Sequence, residues 1–150
     1  MNNIPLERQI SQAVSYLVVE GNLAAYENEL TLIVTAIFGR NCGLVCKTTL
    51  PSSHLAQTPH NPDNRPIMHI GLLGRKQPLE IIWSMLHEYG HVLQGSAALK
   101  EVELDKSLEY PREKDAWDKA EIELVKYPRL VANISEFYDY RDFALNTYEK

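Results

Sequence analysis

The sequence predicts an α+β fold, a mainly helical single domain over residues 1–150 in which a small β-sheet packs against a helix carrying the pattern His-Glu-x-x-His. Three observations predict it. Apolar residues recur at three- and four-residue steps over most of the chain, which is the rhythm of amphipathic helices. Two short runs rich in β-branched and apolar residues, 42–48 and 67–73, break that rhythm and read as strands. A chain of 150 residues with 45% hydrophobic and 23% charged content also has the composition of one globular domain with its own core.

Taken in order, residues 6–19 carry a helical stripe through Ile10, Val14 and Leu17, and Gly21-Asn22 makes a natural stop. A second helix is expected over 23–38, ending at Gly39-Arg40-Asn41. The strand at 42–48 contains both cysteines, Cys42 and Cys46. They share a strand face at a separation too large for a disulfide, and no second pair completes a cysteine zinc site, so they read as buried reduced thiols. Residues 50–66 hold Pro51, Pro59, Pro62 and Pro66 among Ser, Asn and Asp, which predicts a long irregular loop. His54 and His60 lie in it and read as exposed histidines without a task.

The second strand, 67–73, includes His69, facing either a cleft or the surface. Gly74 then turns the chain toward Pro78, placed as the first residue of a helix that stops at Gly95. In that helix Leu79, Ile82, Trp83, Leu86 and Leu93 form an apolar stripe, which brings His87 and His91 to the margin of a buried face. Gly90 leaves room for another element to approach closely, while Tyr89 projects away. Tyr110-Pro111 opens a further helix with Pro111 at its first position. Along one of its faces run Glu113, Ala116, Trp117, Ala120, Leu124 and Tyr127, a single carboxylate heading an apolar stripe. Trp83 and Trp117 read as core aromatics. A last helix is expected over 130–148 through Ile134, Phe137, Tyr138, Arg141, Leu145 and Tyr148.

The chemistry follows from the His87-Glu88-Tyr89-Gly90-His91 spacing. Residues four apart lie on one helix face, so two imidazoles can address one metal ion, and Glu88 beside them can take a proton from a water acidified by zinc. Catalytic zinc usually takes three protein ligands and a water, so a third donor is required. An acid on a buried face needs a partner. Glu113 is therefore the expected third ligand, with Asp115 as runner-up because helix boundaries read from sequence shift by ~2–4 residues. For a donor to the tetrahedral oxyanion, Tyr110, Tyr138, Tyr140 and His60 are all chemically suitable, and spacing does not choose among them.

A His-Glu-x-x-His helix followed by Glu-x-x-Ala-x-x-x-Ala, here Glu113 to Ala120, resembles the gluzincins and most closely the small ImmA/IrrE-type metallopeptidases. The resemblance covers about residues 67–124. It implies a minimal zincin-like fold with Zn2+ as cofactor, His87, His91 and Glu113 as ligands, Glu88 as general base, and a protein or peptide substrate. It also implies that an edge strand before the metal helix aligns extended substrate by β-pairing, and residues 67–73 stand where that strand is expected. After the glutamate the family often has Phe-Ala and a Leu-Leu-Met-Pro run, whereas this chain has Lys119-Ala120 and then Glu121-Ile122-Glu123-Leu124. The metzincin pattern fails on spacing, since Gln94 and Ala97 stand where it needs Gly and His.

A formal net charge of −5 with no Lys/Arg-rich run argues against nucleic-acid binding. The longest apolar stretch, 30–38, is too short to span a bilayer, and the first residues lack the basic start and apolar core of a secretory signal, so no membrane partner and a cytoplasmic location are expected. Two other readings stand beside the peptidase. A non-catalytic interaction protein would keep the fold with a structural zinc closed by four protein ligands. A motif that binds no metal would leave Glu113 far from both histidines.

Overall fold

The computed structural model describes residues 4–57 and 65–148. His60 lies outside them. Among the described residues the architecture is mainly helical α+β, with one three-stranded mixed sheet. Helices α1 (Leu6–Glu20) and α2 (Glu27–Gly39) pack on each other and on strand β1 (Gly43–Lys47). The turn between α1 and α2 contains Asn22 at φ 56°, and the turn after α2 contains Asn41 at the same value, a left-handed conformation that asparagine tolerates. Residues 24–26 form a 3₁₀ turn, so the α-helix expected from 23 begins at Glu27.

Strand β2 (His54–Ala56) was not expected; it falls in the proline-rich stretch read as irregular. Three residues of mixed polarity carry no periodic signal, and β2 exists through its pairing with β3 (Ile67–Gly71). The sheet order is β1-β3-β2, with β1 parallel and β2 antiparallel to β3. The run at 67–73 is thus the central strand, its backbone committed on both sides. The expectation that it is the substrate-pairing edge does not hold; β2 is the edge. Met68 and Ile70 are buried on one face, while His69 points to the other and stacks on His54 of the neighbouring strand at 4.6 Å between ring centroids.

The core joins Leu17, Leu30, Ile37, Met68, Ile70, Ile82, Trp83, Trp117 and Phe137 across both helical groups and the sheet. Cys42 is buried and Cys46 half-buried, both free thiols, and burial pushes them up to about 11 and about 12. No helix among the described residues is long and apolar enough to cross a membrane.

Helix α3 (Leu79–Gln94) carries the motif; Pro78 caps it from just outside, and Gly95 at φ 81° ends it. A short unpredicted helix, α4 (Ser96–Leu104), follows, with Val102 as its one buried residue. A 3₁₀ turn at Lys106–Leu108 then leads into α5 (Glu109–Leu124). Pro111 is the third residue of α5 and not the first, still inside the turn whose N–H groups have no intrahelical partner. The segment read as one last helix is two, α6 (Pro128–Val131) and α7 (Ile134–Leu145).

Candidate metal centre

Helices α3 and α5 approach so closely at Gly90 that a Cβ there would stand 2.3 Å from the carbonyl oxygen of Ala116. Only hydrogen fits. That contact sets Glu113, one turn before Ala116, opposite the two motif histidines. His87 Nε2 lies 3.0 Å from Glu113 Oε1, and His91 Nε2 lies 3.1 Å from Glu113 Oε2. Donor atoms of the three residues lie within 4.8 Å of one another. Tetrahedral zinc with bonds of about 2.0–2.2 Å holds its donors roughly 3.3 Å apart, so the spacing suits such an ion. Glu113 and His91 are buried and His87 nearly so. A decorative motif would leave Glu113 remote, and it is not.

The hydrogen bonding around the imidazoles also suits a cation. His91 Nδ1 donates to Gln94 Oε1 at 2.9 Å, because the Gln94 amide nitrogen is itself a donor to the Arg112 carbonyl and to Asp115 Oδ2. In neutral His91 this leaves the Nε2 lone pair facing a carboxylate, an arrangement that requires a positive charge between them. His87 has a carboxylate at each ring nitrogen, Glu88 Oε2 3.2 Å from Nδ1 and Glu113 3.0 Å from Nε2. Burial presses its pKa down, but the hydrogen bonds to Glu113 and Glu88 and their charges prevail and raise it to about 9. Burial would lift Glu113, and hydrogen bonds from His87 and His91 instead hold it well below the usual carboxylate range. Without metal, the proton on His87 supplies a positive charge; a metal ion would replace it.

The indole of Trp117 lies flat against the His87 ring, centroids 4.2 Å apart and planes at 9°. This packing fixes the imidazole plane while its nitrogens face the acids. The expectation that Trp117 is a core residue holds, and its position also makes it a wall of the centre.

The centre opens into a cleft of about 440 Å³ lined by Glu88, Arg112, residues 51–55, Arg75, Ser84, Tyr140 and Tyr148 among others. His54, read as a bystander in a loop, is part of that wall. Asp115, the runner-up ligand, is exposed and bonds Gln94 and Lys119, outside the donor group. Of the four candidate oxyanion donors, Tyr140 reaches the cleft, Tyr110 and Tyr138 are not in its lining, and Tyr138 bonds Glu121.

Comparison with protein-family models, curated proteins and solved structures gives no match.

Sequence reasoning passed over Tyr148, Gln94, Ser84, Arg75 and Arg112. Gln94 had a readable signal, three residues beyond His91 on the same helix. Tyr148 had none, since chain reversal after α5 alone brings it into the cleft beside Glu113. Burial, then the charges of Glu113, Glu109 and Glu88, push Tyr148 up to about 12. Arg112 Nη1 lies 3.3 Å from Glu113 Oε2 and adds a permanent positive charge beside that carboxylate.

Proposed function

We propose that this chain is a zinc-dependent peptidase of the gluzincin type, similar to the small ImmA/IrrE-type metallopeptidases. The observation that carries the proposal is the convergence of His87, His91 and Glu113 at metal-binding distance in the wall of a cleft that also holds Glu88. The donor group among the described residues has three members, and a three-ligand site with an open position is the arrangement of catalytic zinc, where a closed four-ligand site is structural.

A zinc ion bound there would acidify a water and polarise the scissile carbonyl. Glu88 accepts the proton of the attacking water and returns it to the leaving amine, its carboxylate steadied by His87 Nδ1. Gln94 holds the His91 ring with Nε2 directed inward. The hydroxyl of Tyr148, at Glu113, is the donor best placed for the tetrahedral oxygen. Extended substrate lies along β2, whose outer edge has no strand partner among the described residues and whose His54 and Leu55 wall the cleft. Two free thiols suit a reducing, cytoplasmic setting.

Metal content after purification without added zinc tests the reading, with Glu113→Ala and Asp115→Ala compared with the parent. About one zinc per chain, lost in Glu113→Ala and kept in Asp115→Ala, is expected. A chain that takes up no zinc when it is supplied overturns the proposal.

A further inference from the structure

One cation in the cleft has no part in this chemistry. Arg75, in the turn between β3 and α3, is half-buried and held by three neutral acceptors. Its Nε donates to the Gly71 carbonyl at 2.9 Å, Nη1 to the Tyr140 hydroxyl at 2.6 Å, and Nη2 to Ser53 Oγ at 2.9 Å. Tyr140 in turn lies 2.8 Å from Ser84 Oγ, one turn before Glu88 on α3. The guanidinium is thereby fixed to both walls, the sheet edge through Ser53 and the metal helix through Tyr140 and Ser84.

Among the described residues, no carboxylate lies at ion-pair distance from Arg75. The other arginine of the cleft, Arg112, is paired with Glu113. A partly desolvated guanidinium without a counter-charge is costly, and three of its five N–H groups are used, leaving one on each terminal nitrogen. The charges around the donor group are thus balanced among Glu88, Glu113, His87 and Arg112, whereas Arg75 is left uncompensated and draws an anion that enters the cleft.

We infer that Arg75 is a specificity site for a carboxylate carried by the peptide substrate, either an acidic side chain or the chain end. Arginine is suited to this because its planar fork meets a carboxylate with two parallel hydrogen bonds. The inference rests on the peptidase reading, since it takes the metal to anchor the peptide whose carboxylate reaches Arg75.

The test is calorimetric titration of the zinc-loaded full chain with four succinyl hydroxamates, whose hydroxamate end binds metal. The other end is coupled to Glu or to Gln, each with a free or an amidated carboxyl terminus. The neutral Gln-amide compound is expected to bind, and at least one single-anion compound to bind about tenfold tighter or more. An advantage for the Glu-amide compound assigns the side chain, and one for the Gln acid assigns the chain end. The advantage is expected to vanish in Arg75→Gln, with the neutral compound still bound, and to shrink in Arg75→Lys, which keeps the charge and loses the fork. Equal binding of all four by the parent overturns the inference, as does an undiminished advantage in whichever variant folds. Failure of even the neutral compound to bind removes the open metal centre, and the Arg75 site falls with it.

Discussion

Gly90 of α3 and the Ala116 carbonyl of α5 are in such close approach that the helix pair has no space for a methyl group between them. Glu113 reaches the histidines because of this contact. Gly90→Ala is therefore expected to push the helices apart, costing about 3 kcal/mol or more of stability by overpacking against rigid backbone. Chemical denaturation checks the loss. Zinc affinity measured on the residual folded protein is expected to fall as well, because the same movement separates Glu113 from His87 and His91.

Gln94 would bear on a bound metal through His91. Gln94→Ala frees the imidazole to rotate and removes the acceptor that fixes its tautomer, so zinc affinity is expected to drop about 10- to 100-fold with the fold intact. Competition with a fluorescent chelator measures this. Unchanged affinity would mean that packing alone holds the ring.

Glu88→Gln preserves an acceptor for His87 Nδ1 and removes the base. Zinc stoichiometry is expected to stay near one per chain, while peptide hydrolysis falls about 10²- to 10⁴-fold. A variant that cleaves peptide at the parent rate would assign the proton transfer elsewhere.

The metal-free protein carries a distinctive pH dependence. Glu113 is depressed from its ordinary 4.5, so its contribution to stability is complete above that value and declines as pH falls. His87 is raised from 6.5 to about 9, so its contribution is complete below 6.5 and is lost as pH climbs toward 9. In chelator the thermal midpoint is expected to be highest between these ordinary values and to decline on the alkaline side. Added zinc replaces the proton and is expected to remove the alkaline decline, which thermal melts from pH 5 to 9 would reveal.

The legible part of this molecule was written in helical periodicity. The face Glu113, Ala116, Trp117, Ala120, Leu124 could be read from the sequence as a buried stripe with one acid at its head, and those five residues are buried, whereas Tyr127, expected as the last member, lies beyond the end of α5 and is half-buried. The motif helix and its stop at Gly95 were equally readable, because glycine at φ 81° leaves a local signature. Strand β3 was readable as a strand, but its central place was not, since its neighbours are set by pairing and not by its own residues. The three residues of β2 and the single buried side chain of α4 offer too little pattern to detect. The break between α6 and α7 falls at Ala132-Asn133, without proline or glycine to announce it. Tyr148 and Arg75 enter the cleft through tertiary placement alone.

The flat stacking of Trp117 on His87 gives the protein an optical reporter of its candidate metal centre. Of the two tryptophans in the chain, Trp83 packs against Phe137 and Tyr140, whereas Trp117 shares its π-face with an imidazole of the donor group. Exchange of a proton for a metal ion on that imidazole alters how it quenches the excited indole. Intrinsic emission can then follow metal arrival in real time without a label, and Trp83→Phe would isolate the signal to one ring.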